Sequence, residues 1–251
     1  VIDFGGNDIT VGEKSVAVML KNGGQLNNTL HDINVGKAGV GIYLADATNI
    51  ISPASRTINL SENATGIYGD NGGNIQLGGN ILSVSDGAKG IASKNSLLSV
   101  IENAGNIDLS GKASVGMYGE GIDTLKNNAG KTIKVGDSNT ATGKAGVALF
   151  GLNSSALLNE GSLEFGEGAA GIYGENISSG IENRTGAMIT NNGQTNGTGI
   201  FSKNSLVENR GDILLGDTSN GIYAENGQID NYGNVTAGNE KSSGLFGAGT
   251  A

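Results

Sequence analysis

A short word, formed by a small residue, an aliphatic residue and usually an aromatic residue, recurs ten times along this chain of 251 residues. Its commonest form is G-I-Y, and successive copies begin 24, 25, 24, 26, 32, 23, 28, 22 and 23 residues apart. One unit of about 24 residues cannot bury an apolar face by itself, so the recurrence predicts a stacked array. The small first residues, termed the anchors, are Ala17, Gly41, Gly66, Gly90, Gly116, Ala148, Gly171, Gly199, Gly221 and Gly244.

Each repeat is predicted to contain three short strands. The G-I-Y word is the first, a brief apolar stretch such as Leu206-Val207 is the second, and an alternating stretch such as Ile133-Lys134-Val135 is the third. Alternation with a period of two is typical of a strand with one buried face. We therefore predict an all-β fold, a right-handed parallel β-helix of about ten coils, which forms one continuous segment over residues 1–251.

The handedness follows only by elimination. Leucine-rich repeats share the period but need more leucine than this chain contains, and left-handed hexapeptide helices need a six-residue register that is missing here. The N-terminal residues show no basic region followed by an apolar core, so we expect no signal peptide in this sequence. The sequence starts and stops in the middle of the repeat pattern, so we expect it to be a segment of a longer chain.

Two columns of polar residues recur with the repeat. Five residues after each anchor only Asn, Asp or Gly is found, which predicts a corner with positive φ. This corner column is Asn22, Asp46, Asn71, Asn95, Gly121, Asn153, Asn176, Asn204, Asn226 and Gly249. A second column follows the middle strand, and we expect its amides to hydrogen-bond along the axis instead of binding a ligand. Its members are Asn103, Asn128, Asn159, Asn183, Asn209 and Asn231.

Eight of the eleven aromatic residues stand two positions after an anchor. The residue before each of them is always aliphatic, so we assign the aliphatic column to the core and the aromatic column to the outer surface. This stripe either binds a sugar or protein partner, or its rings merely stack on one another or turn inward at a bend. The candidate binding residues in it are Tyr43, Tyr68, Tyr118, Tyr173, Phe201 and Tyr223.

Two coils are longer than the others, and both are enlarged just before an anchor. The insertions lie near residues 136–145 and 190–198. Insertions at one corner of a solenoid commonly form its partner-binding surface, although neutral surface loops would look the same. The candidate contact residues here are Asp137, Asn139, Asn192 and Gln194.

Composition argues against several classes of function. The formal net charge is −9 and basic residues do not cluster, so we expect no nucleic-acid partner and no contact of this segment with a membrane. Cysteine is missing and His31 is the only histidine. The carboxylates near the third strand, Asp108, Glu164 and Asp212, suggest no paired acid and base. We therefore expect no enzyme, no catalytic or metal-binding residue and no cofactor.

The G-I-Y-[GA]-E-N words, the Asn-x-Gly turns and the I-x-L-G strands resemble the passenger repeats of bacterial type V autotransporters. The resemblance is greatest to the very long fusobacterial outer-membrane adhesins, and it extends over essentially the whole chain. It implies a virulence-associated β-helix displayed on the bacterial cell surface or secreted, with the rest of the autotransporter chain at both ends. It also implies attachment to host-cell glycans or protein receptors, or to other bacteria. A purely structural spacer is the alternative, and a secreted polysaccharide-cleaving β-helix enzyme is a third hypothesis.

Overall fold

The computed structural model describes residue 2 and residues 7–24, 26, 31–46, 48–52 and 56–249, and every structural statement below concerns these residues. They form 26 strands, all paired in parallel in three ladders. They include no helix, and accordingly none that is long and apolar enough to cross a bilayer.

The strands that contain the anchors pair with one another and form the anchor ladder. Its register aligns equivalent positions, because Ile172 pairs with Leu149 on one side and with Ile200 on the other. The strands are β2 (Val16–Leu20), β4 (Val40–Ala45), β7 (Thr65–Asp70), β10 (Lys89–Asn103), β12 (Val115–Asn127), β14 (Val147–Leu152), β17 (Ala170–Glu175), β20 (Thr198–Lys203), β23 (Asn220–Glu225) and β26 (Ser243–Ala248).

The predicted second strand of each repeat forms the middle ladder. In two coils it is not a separate strand, because β10 and β12 continue around the corner and supply both the anchor and the middle rung. The chain bulges at this corner of β10, where the register shifts between Ser96 and Val100. The separate strands are β5 (Ile50–Ser52), β8 (Ile75–Leu77), β15 (Ala156–Asn159), β18 (Gly180–Asn183), β21 (Leu206–Asn209) and β24 (Gln228–Asn231).

The predicted third strand forms the return ladder, which leads back to the next anchor. Its strands are β1 (Ile9–Val11), β3 (Ile33–Val35), β6 (Thr57–Leu60), β9 (Asn80–Ser83), β11 (Asn106–Leu109), β13 (Thr132–Val135), β16 (Ser162–Phe165), β19 (Met188–Thr190), β22 (Asp212–Leu214) and β25 (Asn234–Thr236). Three strands per coil and about nine turns confirm the predicted parallel β-helix. Its right-handed sense remains a prediction.

The aliphatic residue after each anchor lies in the core, as predicted. These side chains are fully buried in every coil that has a neighbour on both sides, because the coils above and below complete the enclosure. They are Ile42, Ile67, Ile91, Met117, Leu149, Ile172, Ile200 and Ile222. The equivalent Leu245 in the last coil is 47% exposed. Burial at this position therefore depends on stacking.

Most anchors are glycines because neighbouring atoms approach their Cα closely, although the buried anchor Ala148 accommodates a methyl group. A Cβ at Gly171 would lie 2.7 Å from the carbonyl oxygen of Gly199 and 2.6 Å from Cγ2 of Ile189. Gly244 belongs to the last coil, and a Cβ there would meet nothing within 4 Å. The close approach at Gly171 thus involves both the return strand of the same coil, through Ile189, and the next coil, through Gly199.

The corner column has the predicted backbone conformation at nine of its ten positions, with φ between 48° and 61°. Gly249 is the exception, since it shows no positive φ; no further described coil follows it to repeat the corner. Several corner amides also bond from coil to coil. Nδ2 of Asn176 donates to Oδ1 of Asn153 at 3.0 Å, and Nδ2 of Asn204 donates to Oδ1 of Asn176 at 2.9 Å.

The second asparagine column forms the predicted ladder, with one correction. Asn127 occupies the rung, and the prediction of Asn128 was wrong by one residue because Asn127 pairs in register with Asn159. Each Nδ2 donates to the Oδ1 of the next coil at 2.7–3.0 Å. The ladder runs through Asn103, Asn127, Asn159, Asn183, Asn209 and Asn231.

Candidate functional site

The aromatic column lies on the outer face of the anchor ladder. Its rings are partly exposed, which confirms the predicted orientation of Tyr173 and Tyr223. The column is interrupted once, where Ala92 occupies the aromatic position between Tyr68 and Tyr118 and is only 3% exposed. The candidate residues of the stripe are therefore divided into two groups, with Tyr43 and Tyr68 on one side of Ala92 and the remaining rings on the other.

The part of the column from Tyr68 to Phe246 contains two arrangements of rings. In the stacked stretch, defined as Tyr173, Phe201, Tyr223 and Phe246, neighbouring ring planes differ by 7–15° and their centroids lie 4.8–5.4 Å apart. Phe150 is instead nearly perpendicular to both of its neighbours, at 88° and 78°. We define the mixed stretch as Tyr68, Ala92, Tyr118 and Phe150. The rings stack on one another, which was one of the two predicted possibilities, and they are also partly exposed. Binding of a sugar or protein partner by the stripe stays a prediction.

A charged cluster accompanies the mixed stretch. Nζ of Lys94 lies 5.4 Å from the centroid of the Tyr118 ring and 2.7 Å from Oε2 of Glu120. The Tyr118 hydroxyl donates to the same carboxylate oxygen at 2.6 Å. Burial, followed by this hydrogen bond, raises the pKa of Tyr118 to about 12. The hydrogen bonds from Lys94 and Tyr118 lower the pKa of Glu120.

Sequence reasoning missed this cluster, although a signal was present. The residue four positions after the anchor is charged in many repeats, and in this register it flanks the rings. The column includes Asp70, Lys94, Glu120, Glu175, Lys203 and Glu225. Within it Lys203 also pairs with Glu175, at an N–O distance of 3.6 Å.

The two insertions lie at the same corner of the solenoid, between a return strand and the next anchor strand. The first forms a small hairpin, in which the backbone N–H of Asn139 donates to the carbonyl oxygen of Lys144 at 2.8 Å. The second is a turn in which Asn192 and Gln194 are exposed. One coil separates the two insertions.

The turn of that intervening coil joins the insertions into one surface. The backbone N–H of Glu167 donates to Oδ1 of Asp137 in the first insertion at 2.9 Å. The Oε1 atom of Glu167 accepts from the Thr195 hydroxyl in the second insertion, also at 2.9 Å. Ser138 extends the contact by donating through its hydroxyl to the carbonyl oxygen of Gly168 at 2.7 Å. We refer to residues 136–146, 166–169 and 191–197 together as the insertion corner.

A cavity of about 200 Å³ opens at the insertion corner. Three of the four candidate residues there, Asp137, Asn192 and Gln194, line it together with Lys134 and Glu164. The fourth candidate, Asn139, belongs to the hairpin and is not part of the lining. Asn191 also lines the cavity, which thus presents two carboxylates, three amides and one ammonium group, a set that both donates and accepts hydrogen bonds.

The carboxylates considered for catalysis do not form a pair. Asp108 and Glu164 lie in one column of the return ladder, with Lys134 on the coil between them. Asp212 lies in a different column, because it pairs with Met188. His31 is partly exposed, and its Nδ1 lies 3.5 Å from Oδ1 of Asp8.

The chain matches no protein-family model, no curated protein and no solved structure.

Proposed function

We propose that this chain is a segment of a surface-displayed adhesin, of the autotransporter-passenger kind, and that its insertion corner binds the partner. The partner is a host-cell glycan or protein receptor, or a component of another bacterium. Display outside the cell, with further chain at both ends of the segment, belongs to the same proposal. The observation that supports it is that two insertions on nearby coils meet through Glu167 to form one polar surface.

The composition of this surface favours a hydroxyl-rich or peptide partner. Asn192 and Gln194 are exposed, and each amide supplies both donors and acceptors. Asp137 is held in place by its bond to the backbone of Glu167, so its second oxygen is oriented before a partner arrives. Groups held in this way lose little conformational freedom on binding.

The test is a glycan array together with a cell-binding assay on the segment. Replacing Asn192 and Gln194 together by Ala is expected to weaken binding about tenfold, since two hydrogen bonds of about 0.5–1.5 kcal/mol each are lost. Asn239→Ala is the matched control, because this exposed asparagine lies at the equivalent corner of the last coil, which has no insertion. Equal binding by the double variant and the wild type would contradict the proposed site.

A structural spacer without a ligand is the second candidate. It is favoured by the way in which the repeated polar and aromatic groups bond to one another, as in the asparagine ladder and the stacked rings. Failure of the wild-type segment to bind any glycan or cell type saturably would favour the spacer. Release of reducing ends from a polysaccharide, abolished by Asp108→Ala or Glu164→Ala, would instead favour the enzyme hypothesis.

A further inference from the structure

We propose that the stacked stretch of the aromatic column is a binding site for elongated, planar, cationic aromatic molecules. Such a molecule lies along the solenoid axis over Tyr173, Phe201, Tyr223 and Phe246. This is a small-molecule site on the rod, separate from the insertion corner, and it does not depend on the proposed adhesion.

The stacked stretch has the length and straightness that such a ligand requires. Its three successive centroid separations are 4.8, 5.4 and 5.0 Å, so the four rings span about 15 Å. The parallel register holds them in one line, because Tyr173 pairs with Phe201, Phe201 with Tyr223 and Tyr223 with Phe246. A molecule of several linked aromatic rings matches this row without any rearrangement of the backbone.

The orientation of the rings selects the class of ligand. Since neighbouring planes differ by only 7–15°, each ring face is covered by the next ring and the ring edges point outward. A sugar that stacks on an aromatic side chain needs a free face, which Phe201 and Tyr223 inside this row do not offer. The edge is the positive part of the ring quadrupole and prefers the face of another aromatic ring. One flat ligand can therefore receive several edge-to-face contacts at once.

The residues on either side of the rings determine which ligand charge the site favours. On one side of the rings stand Glu175, Lys203 and Glu225, and Lys203 is already paired with Glu175 at 3.6 Å. Within the part of the chain that the structure describes, Glu225 forms no ion pair. On the other side the residues that precede the anchors are small and uncharged: Ala170, Thr198, Asn220 and Ser243. The cationic group of the ligand therefore lies beside the rings, against Glu225, and not over the positive ring edges; the formal net charge of −9 favours its approach.

The mixed stretch of the same column lacks these properties and serves as an internal control. Ala92 interrupts the row, and Phe150 is nearly perpendicular to its neighbours. The ammonium group of Lys94 lies over the Tyr118 ring, 5.4 Å from its centroid, and occupies the space that a ligand would need. We therefore place the site at the stacked stretch alone.

The test uses thioflavin T, a planar cationic dye whose fluorescence rises when its internal rotation is restricted. The segment is expected to bind it saturably. Phe201→Leu, which keeps an apolar side chain but removes the ring, should weaken binding about two- to tenfold, the factor expected for one lost aromatic contact. Tyr68→Leu removes a ring from the other side of Ala92 and should leave binding unchanged. Circular dichroism and thermal melting verify that each variant is folded.

Charge is tested with a second pair of variants. Glu225→Gln should weaken thioflavin T binding and reduce its dependence on salt, whereas Asp230→Asn, on the middle ladder of the same coil, should not. If Phe201→Leu does not fold, Tyr223→Leu and Glu225→Gln decide the question. The proposal is overturned if the dye does not bind saturably or if Tyr68→Leu weakens binding as much as Phe201→Leu. It is also overturned if a sulfonated, anionic planar dye binds as tightly.

Discussion

The stacked stretch and the mixed stretch of the aromatic column occupy the same position in the repeat and the same register of the anchor ladder. In the stacked stretch the ring planes are nearly parallel, whereas in the mixed stretch Phe150 is nearly perpendicular to its neighbours and Ala92 replaces a ring. The core beneath them is the same, with Ile91 and Ile172 both fully buried. The backbone register therefore decides where an outward side chain lies, and its lateral neighbours decide how it interacts.

The largest effect should come from the shared core. Replacing Ile91 or Ile172 by Asp leaves an unpaired buried charge and should lower the free energy of unfolding by at least about 3 kcal/mol, equally in the two stretches. Urea unfolding measures this. Leu214→Asp is the control, since Leu214 is 50% exposed, and its change should stay within about 0.5 kcal/mol. Unequal losses at Ile91 and Ile172 would show that the two stretches do not share one core.

The anchors should give the next largest effect. A Cβ at Gly90 would lie 2.4 Å from the carbonyl oxygen of Gly116, and one at Gly171 would lie 2.7 Å from that of Gly199. Replacing either Gly90 or Gly171 by Ala should therefore cost about 1–3 kcal/mol of unfolding free energy. Gly244→Ala tests the cause, because no coil covers this anchor and the change should be within about 0.5 kcal/mol. A large loss at Gly244 would disprove the explanation by close approach.

The folding stability of the protein should fall at alkaline pH because Tyr118, in the mixed stretch, loses its proton. Burial and the hydrogen bond to Glu120 raise its pKa to about 12, from an ordinary value of 10.0, so folding favours the neutral phenol. This contribution to stability is complete below pH 10.0 and is lost as the pH rises through about 12. In Tyr118→Phe, urea unfolding should show a smaller loss of stability over that range. An identical pH profile for variant and wild type would contradict the role given to Tyr118.

Lys94→Met should have the smallest effect on stability. It removes one exposed ion pair and one cation–π contact, worth about 1 kcal/mol or less together. The variant should nevertheless raise the pKa of Glu120, because the hydrogen bond from Lys94 is the main cause of its lowering. Titration of the Glu120 carboxyl carbon by NMR measures the shift. An unchanged pKa of Glu120 would show that Lys94 does not stabilise the Glu120 carboxylate.

Much of the fold was predictable because a repeat shows each structural constraint several times. The three strands per coil, the buried column that includes Ile172 and the partly exposed Tyr173 and Tyr223 were all predicted correctly. The asparagine ladder was predicted with one rung misplaced, at Asn128 instead of Asn127, because a two-residue turn motif does not identify which of two adjacent asparagines faces inward.

The candidate site was predictable only in part. The positions of both insertions were visible as changes in repeat length, but the hydrogen bonds that join the two insertions were not predictable. They depend on the Glu167 carboxylate and backbone reaching Thr195 and Asp137, residues that lie 28 and 30 positions away in the chain. The angle between neighbouring ring planes could not be predicted either, because it depends on side-chain packing within and beside the aromatic column.

The sequence alone determined the repeat length, the number of coils and the side of the sheet on which each residue lies, because these follow from local periodicity. Only the tertiary structure decided which rings present their edges, how the two insertions join, and why a Cβ would be crowded at Gly171 but not at Gly244. The physical reason is that these features arise between coils. Their distances are set by stacking at about 4.8 Å, and a single repeat contains no information about its neighbour's side chains.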